Sequence, residues 1–253
     1  MKLKVGTYNV QHCSDNTVPV DELNRPIVRV DKTAQLLKDL GVEIVGLNEV
    51  YGKGPEEAYC DQARKLAEYF GTESYVFGQS KEFEWGDTIG NAVLSRYKIV
   101  DVQFYPVLAP TEEERRPNEQ SWYEDRVIVK TTVDVGREIC FLSTHFGLNG
   151  LEKERIVEKL VEVIDAETRP IILCGDFNVL PDQEYLKPIY QRLQSAADVV
   201  GKRNVMTWAS FAPQVTIDYI FVSKEFTVKD YEVVDVVLSD HRPLWAELEL
   251  SEK

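Results

Sequence analysis

Apolar residues recur along the chain with two periods, one typical of α-helices and one typical of β-strands. Helical spacing predicts helices over residues 30–40, 56–70 and 152–167, and Gly41 and Gly71 provide stop signals after the first two. A short fourth helix is expected after Asp182, which would cap it, and Pro188 would kink or end it. The helical segments are therefore few and well separated.

Segments typical of β-strands are more numerous, and many of them follow one another directly. Strands are predicted over residues 3–10, 43–50, 91–95, 99–107, 126–135, 138–144, 171–174, 216–223, 231–238 and 244–250. Because directly successive strands usually pair antiparallel, we expect an α/β (α+β) fold in which two mainly antiparallel sheets pack face to face with helices outside. Residues 109–125 form a long polar loop, of a kind that is often functional or mobile.

The composition is compatible with one large hydrophobic core. The chain has 253 residues, 43% of them hydrophobic, and shows no repeat or shift in composition, so a single domain over residues 1–253 is predicted. The four cysteines are scattered without a CxxC pair and are expected to be reduced core thiols. No apolar run reaches the roughly 20 residues of a membrane span, and the N-terminus lacks a signal-peptide pattern. We expect a soluble, cytoplasmic protein without an evident stable protein partner.

The net charge of −14 narrows the range of partners. Tight non-specific binding to nucleic acid relies on Lys and Arg contacts to phosphate, which such an acidic chain disfavours. A nuclease is still possible, because a bound cation can supply a positive field locally. Solubility alone is the simpler explanation of the charge.

Polar side chains gather where predicted strands end. In "IILCGDFN", Asp176 and Asn178 follow an apolar run, and burying such groups without partners costs a few kcal/mol or more. Similar junctions hold Asn9, Glu49, His145, Asp218, Asp240 and His241. Acids and amides that converge from several strand ends are typical of an oxygen-rich site for a hard cation. Zinc is less expected, because the thiols lie elsewhere and no HExxH motif is present. Taken singly, each acid or amide could equally form a turn or be a solvated charge, and each histidine could be a core residue.

Taken together, these junctions resemble the exonuclease–endonuclease–phosphatase superfamily. The matching motifs are "TYNV", "NEV", "GNAVLS", "STHFG", "GDFN", "IDYIFV" and "SDHRPL", which occur in the family's order and span residues 7–244. The resemblance implies a four-layered, deoxyribonuclease I-like α/β sandwich with a site at one edge of the two packed sheets. It also implies hydrolysis of a phosphate ester that depends on Mg²⁺ or Mn²⁺.

The resemblance further implies how the cation and the attacking water are held. Glu49 would be the main metal carboxylate, helped by Asn9 and Asp240. Asp176 would polarise or deprotonate the water, and Asn178 would fix its line of attack. Gly175, between the strand and Asp176, is expected to leave room for the substrate.

The remaining implied roles concern the phosphate. His241 would donate to it or share a proton with it, and Asp218 would orient that imidazole and raise its pKa. His145 would contact the phosphate from the other side, Arg126 would be a second donor, and Asn91 would line the pocket. Whether Asp176 or His241 is the base stays open.

Some family members pair the histidine equivalent to His145 with an acid, and Glu84 and Asp87 lie in the corresponding region. Four aromatic residues in or near loops are candidate walls: Trp85, Trp122, Tyr123 and Trp208.

Three functions compete at this point. A phosphodiesterase acting on nucleic acid or a smaller diester competes with a phosphomonoesterase, and the acidity and missing basic loops favour a small or flexible substrate. The alternative is a catalytically inactive metal-binding scaffold or interaction module on the same fold. The retention of Glu49, Asp176, Asn178, Asp218, Asp240 and His241 argues against it.

Overall fold

The computed structural model describes residues 1–251, and its helices and strands alternate irregularly along the chain. The α-helices are α1 (Val30–Asp39), α2 (Gln62–Phe70), α3 (Gly150–Asp165), α4 (Lys187–Tyr190) and α5 (Ala196–Val199). The strands are β1 (Lys2–Asn9), β2 (Ile44–Lys53), β3 (Ser74–Glu82), β4 (Thr88–Ser95), β5 (Lys98–Val107), β6 (Arg126–Asp134), β7 (Glu138–His145), β8 (Ile171–Asp176), β9 (Gln194–Ser195), β10 (Asp218–Val222), β11 (Phe226–Val233) and β12 (Leu244–Leu250).

The strands form two six-stranded sheets. Their orders are β11–β12–β1–β2–β4–β3 and β5–β6–β7–β8–β10–β9. Each sheet has one parallel pair among these strands, β1–β2 in the first and β7–β8 in the second, and its other pairs are antiparallel. The prediction of two mainly antiparallel sheets is confirmed.

Three apolar clusters hold the layers together. The residues between the sheets include Val5, Phe141, Ile172, Ile220 and Leu244. The outer face of the first sheet packs against α1 and α2 through residues that include Leu37, Leu47 and Leu66. The outer face of the second sheet packs against α3 and α4 through residues that include Leu160, Leu173 and Ile189. The order helix, sheet, sheet, helix is the four-layered sandwich that was predicted.

Several predicted boundaries were wrong. Pro188 lies in the first turn of α4, where its missing N–H leaves no bond unmade, so it neither kinks nor ends that helix. Asp182 does not cap the helix and instead pairs with Arg203 at 3.0 Å. The second helix begins at Gln62, after a 3-10 turn, and not near residue 56. The strand predicted over residues 231–238 is β11, which already ends at Val233.

The thiols follow the prediction in part. Cys13, Cys140 and Cys174 are buried and unpaired, as expected for reduced core residues. Cys60 is also unpaired but only half-buried, so it is not a core residue.

Among residues 1–251, no helix has the length and apolar character needed to cross a membrane.

Gly175 is required by the sheet and not by the substrate. Its φ is +146°, and a Cβ added there would lie 1.8 Å from the backbone oxygen of Thr144 on β7. The space beside Gly175 is therefore filled by the neighbouring strand. The expectation that this glycine leaves room for a substrate is wrong.

We expect Gly175→Ala to destabilise the fold by about 2–6 kcal/mol, the sum of a strained backbone conformation and an overpacked contact. Urea denaturation measures the loss. Gly136→Ala is the matched control, because Gly136 also has a positive φ (+88°) but no atom within 4 Å of the added Cβ. That control should lose only about 1–2 kcal/mol. Equal losses in both variants would show that the Thr144 contact is not the cause.

Candidate active site

Strand register brings three of the expected site residues side by side. His145 pairs with Asp176 across the parallel strands β7 and β8, and Asp176 pairs with Asp218 across the antiparallel strands β8 and β10. Directly opposite residues in a sheet have side chains about 5 Å apart. A row of His145, Asp176 and Asp218 therefore forms at one edge of the second sheet.

His241 joins this row from the segment that precedes β12. Its Nδ1 lies 2.9 Å from Asp218 Oδ2 and 3.1 Å from Asp218 Oδ1, so a hydrogen on Nδ1 is donated to that carboxylate. The other ring nitrogen, Nε2, then faces Asp176 Oδ2 at 3.6 Å. Burial lowers the pKa of His241, but the charges of Asp218 and Asp176 outweigh burial and raise the pKa to about 10.

Asp176 is the most extensively contacted acid of the site. Its Oδ1 accepts a hydrogen bond from the Asn178 backbone N–H at 2.9 Å, and its Oδ2 accepts one from Asn9 Nδ2 at 3.1 Å. His145 Nε2 lies 3.4 Å from the same Oδ2. Burial alone would raise the pKa of Asp176, but the positive charge of His241 and the contact with His145 hold the pKa well below its usual range. Asp176 is therefore an ionised carboxylate.

A β-bulge positions Glu49. Leu47 pairs with Ala92 and Val50 with Gly90, so two residues of β2 stand opposite one residue of β4. Within this bulge Glu49 has a φ of 57°, in the left-handed region. Bulges of this kind redirect side chains beside active sites. The redirected Glu49 carboxylate lines the cavity described below and accepts a hydrogen bond from Asn9 Nδ2 at 3.0 Å.

His12 is a neighbour of Glu49 that sequence reasoning missed. Its Nε2 lies 3.7 Å from Glu49 Oε2, and its Nδ1 lies 3.2 Å from the Glu49 backbone oxygen. Burial raises the pKa of Glu49, but the charges of His145 and His12 and the Asn9 hydrogen bond bring the net pKa below its ordinary value. The position of His12 two residues after the "TYNV" motif was the only available signal.

Asp240, which directly precedes His241, is held less firmly. Its Oδ2 accepts a hydrogen bond from Trp208 Nε1 at 3.3 Å, and its Oδ1 accepts one from Ser239 Oγ at 3.2 Å. Burial, with the nearby charge of Glu49, raises the pKa of Asp240, although His241 acts in the opposite direction. The carboxyls of Asp240 and Glu49 therefore repel each other.

One cavity of about 440 Å³ is lined by Glu49, His145, Asp176, Asp240 and His241. Its lining holds four acids, Glu49, Glu124, Asp176 and Asp240, against two cationic groups, the guanidinium of Arg126 and the imidazole of His241 with its raised pKa. Excess negative charge in a partly desolvated cavity is stabilised by a cation. The residues present therefore fit a divalent cation that prefers oxygen ligands.

Two different groups of side chains are candidate ligands. Asp176, Asp218 and His241 offer ligand atoms that lie within 4.8 Å of one another. However, the carboxylate of Asp218 and Nδ1 of His241 already satisfy each other, and an ion between them would break that bond. Glu49 and Asp240 both line the cavity and repel each other, so they form, together with Asn9, the second candidate group.

His145 has an arginine as its partner where an acid was considered. Arg126 Nη1 lies 3.2 Å from His145 Nδ1, and Arg126 Nη2 lies 3.1 Å from Glu124 Oε2. Arginine can only donate, so Nδ1 of His145 accepts and its hydrogen resides on Nε2, facing the cavity. Asp87, which was a candidate partner of His145, accepts a hydrogen bond from Trp85 Nε1 at 2.8 Å. Glu124, which lines the cavity, was missed because a lone acid before a strand carries no signal.

Arg126 also has unused donor capacity. Its Nε is buried and has no hydrogen-bond partner in the structure. The guanidinium lines the cavity and its side chain is 11% exposed. An anion in the cavity would meet the positive charge of this guanidinium.

Two buried amides support the site from behind. Asn48 Nδ2 donates to Asn91 Oδ1 and to the Thr144 backbone oxygen, both at 2.9 Å, and Asn48 Oδ1 accepts from the Asp176 backbone N–H at 2.9 Å. Asn91 Nδ2 donates to the Val127 backbone oxygen at 2.8 Å. The pair links the two sheets beneath the cavity. Asn91 is thus placed behind the lining, where it supports Asn48, and a phosphate contact for it stays a prediction.

The other expected residues divide between the cavity and the surface. Asn178, with a φ of 48°, lines the cavity and donates through Nδ2 to the Phe146 backbone oxygen at 3.1 Å. Trp122 and Trp208 also line it. Tyr123 is buried, and Trp85 stacks on Phe83 elsewhere.

Comparison with known proteins agrees with the family resemblance of the sequence motifs. The model of the Endonuclease/Exonuclease/phosphatase family matches residues 6–241. A search of curated protein sequences finds no significant match.

Solved structures share the fold at low sequence identity. An endonuclease/exonuclease/phosphatase from Beutenbergia cavernae is 23% identical with a TM-score of 0.76, over 98% of this chain and 72% of that one. The mannosyl-6-phosphatase of Bacteroides thetaiotaomicron is 18% identical with a TM-score of 0.70, over 98% of this chain and 100% of that one. The catalytic domain of human Nocturnin, solved with sulfate, is 18% identical with a TM-score of 0.67, over 99% of this chain and 95% of that one. At these identities, the likeness establishes the fold.

Proposed function

Since the chain belongs to the endonuclease/exonuclease/phosphatase family, we propose that it hydrolyses a phosphodiester or phosphomonoester bond with a bound divalent cation, Mg²⁺ or Mn²⁺. Members of this family are hydrolases that act on phosphate esters. The observation that carries the proposal is the cavity floor. There an ionised Asp176 lies between two imidazoles, and the carboxyls of Glu49 and Asp240, which repel each other, line the same cavity.

The cation is assigned to Glu49 and Asp240, with the amide oxygen of Asn9 as a third ligand. When bound, a divalent ion neutralises charge on the phosphate and stabilises the leaving oxygen. Asn9 lies between the two carboxylates: its Nδ2 donates to Glu49 and Asp176, and its Oδ1, which accepts from the Gln11 backbone N–H at 3.1 Å, keeps a second lone pair for the ion. Loss of Asn9 would therefore disturb both the ion and the water.

The attacking water is assigned to Asp176. Its Oδ2 faces the cavity between the imidazoles, within hydrogen-bond reach of a water bound there. Oδ1 is occupied by the Asn178 backbone N–H, which fixes the carboxylate plane. Asp176 would accept the proton from water, and Asn178 would hold the water in line with the phosphorus.

Three donors are assigned to the phosphate. His241 presents Nε2 to the cavity because Asp218 occupies its Nδ1. His145 presents Nε2–H because Arg126 occupies its Nδ1. Arg126 adds its guanidinium, which lines the cavity. Donors already aimed at the charge that develops on the phosphate need no reorganisation during the reaction.

Hydrolysis of bis(p-nitrophenyl) phosphate, with EDTA and then with Mg²⁺ or Mn²⁺, tests the proposal. Turnover that requires the metal separates an enzyme from an inactive scaffold. The same measurement on p-nitrophenyl phosphate separates a diesterase from a monoesterase. No turnover of either compound with either metal would favour the scaffold.

Metal binding is also expected to stabilise the fold. At about 100 times its Kd, Mg²⁺ should add roughly 2.7 kcal/mol, which for a chain of this size raises Tm by about 5–10 °C. Differential scanning calorimetry with EDTA and with Mg²⁺ measures the shift. Glu49→Gln should reduce it, whereas Glu247→Gln, at a half-exposed acid paired with Lys2, should not. Identical midpoints with and without metal would remove the metal site.

A further inference from the structure

The walls of the cavity are apolar although its floor is charged. Trp122 and Leu148 come from the segments before β6 and after β7, and their side chains are 53% and 43% exposed. Trp208, which is 41% exposed, comes from the segment before β10, together with Val215 and Ile217. Exposed aromatic surface concentrated in a polar cavity indicates a ligand-binding surface.

Both tryptophans are held in place despite their exposure. The ammonium of Lys81 lies 4.6 Å from the centre of the Trp122 ring, and the Trp122 backbone oxygen accepts a hydrogen bond from Asn149 Nδ2 at 2.9 Å. Trp208 pairs through its backbone with Val215 at 3.1 Å and donates through Nε1 to Asp240. Rings fixed before binding lose little entropy when a ligand stacks on them.

The charges of the lining limit the substrate further. Arg126 is the single Lys or Arg among the residues that line the cavity, and it already pairs with Glu124. The ammonium of Lys81, beside Trp122, lies 3.9 Å from the same Glu124 carboxylate. Apart from the reacting phosphate, a second phosphate would therefore find both cations already paired and would be repelled by the carboxylates. The cavity volume of about 440 Å³ lies in the range of small-molecule sites.

From these observations we infer that the cavity selects esters that carry one phosphate and a planar, uncharged ring, with Trp122 and Trp208 as the specificity-determining residues. The inference rests on the proposed phosphoesterase activity. Stacking of a base on an aromatic side chain corresponds to about a 5- to 150-fold effect on binding. That factor should appear in KM, because the rings contact the substrate away from the reacting bond.

Matched substrates test the inference. Adenosine 5′-monophosphate and ribose 5-phosphate share the same primary alcohol, and only the first carries a planar ring; adenosine 3′,5′-bisphosphate adds a second phosphate. Each 5′-phosphate is supplied as the monoester and as its methyl diester, so that either class of phosphoesterase can respond. We expect kcat/KM for the adenosine compound to exceed that for the ribose compound by about 10-fold, and the bisphosphate to be the poorer of the two adenosine compounds.

Variants assign the preference to the two rings. Trp122→Ala and Trp208→Ala should reduce the preference for the ring, mainly through KM. Trp208→Phe should retain most of it, because the ring is kept while the donor to Asp240 is lost. Trp85→Ala is the matched control, since Trp85 is 68% exposed but stacks on Phe83 outside the cavity. It should leave the preference unchanged.

Calorimetric titration of the same compounds in EDTA, where the metal-dependent reaction does not proceed, measures binding without turnover, so the result does not depend on the proposed activity. Tighter binding of adenosine 5′-monophosphate than of ribose 5-phosphate, lost in Trp122→Ala, supports the inference even if no ester is hydrolysed. Equal binding and equal kcat/KM for the two compounds would overturn it. A preference for the bisphosphate would also overturn it, while metal-dependent hydrolysis would leave the proposed function intact.

Discussion

Asp176→Asn is expected to lower kcat by at least about 10²-fold, the usual size of general-base and positioning effects, and to leave the fold intact. Asparagine has nearly the same shape as aspartate, and its oxygen can still accept from the Asn178 backbone N–H, as Oδ1 does at 2.9 Å. It cannot accept a proton from water, and its amide would face the donors Asn9 and His241. The measurement is kcat with saturating Mg²⁺, with folding checked by circular dichroism.

Asp182→Asn is the control for this substitution. Asp182 follows Asp176 by six positions, but its side chain is 94% exposed and pairs with Arg203 at the surface. Its variant should turn over at the wild-type rate. If Asp176→Asn also stays within a few-fold of wild type, Asp176 is a structural residue and the base must be sought elsewhere.

The fold could be predicted where burial imposes a regular pattern. Strand β12 was predicted with its observed bounds because Leu244, Ala246 and Leu248 alternate with less buried residues. Strand β3 was missed, since it lies at the edge of its sheet and its half-exposed residues show no clear period. Strand β11 was misplaced because a bulge between Val228 and Asp230 interrupts its alternation. Edge strands and bulges are therefore where the sequence pattern fails.

The candidate site could be predicted as a set of strand ends but not as a network of contacts. The carboxyl ends of parallel strands meet at one edge, so the proximity of His145 and Asp176 follows from the order of the elements. The pairing of Arg126 with His145 depends on side-chain directions that the motifs do not contain. The supporting role of Asn48 depends on its contacts across both sheets.

The second large effect is expected at Asp218 and His241, whose side chains form one unit. Asp218→Asn removes the charge that raises the pKa of His241, so this pKa, followed by NMR titration, should fall. The neutral amide also no longer favours the ring form with hydrogen on Nδ1. Loss of an orienting acid behind a catalytic histidine lowers rates by orders of magnitude in comparable sites.

Because either substitution disables the same unit, Asp218→Asn, His241→Ala and the double variant should show similar residual kcat/KM at saturating metal. The 2.9 Å contact between His241 Nδ1 and Asp218 Oδ2 is the physical reason for this non-additivity. Combining Asp218→Asn with Asp182→Asn provides the additive control, because Asp182 lies on the surface. Asp218 is buried, so its replacement can also disturb the fold. Circular dichroism of each variant checks for unfolding. If the loss in the Asp218/His241 double variant equals the product of the two single losses, the residues act independently and His241 is oriented by another group.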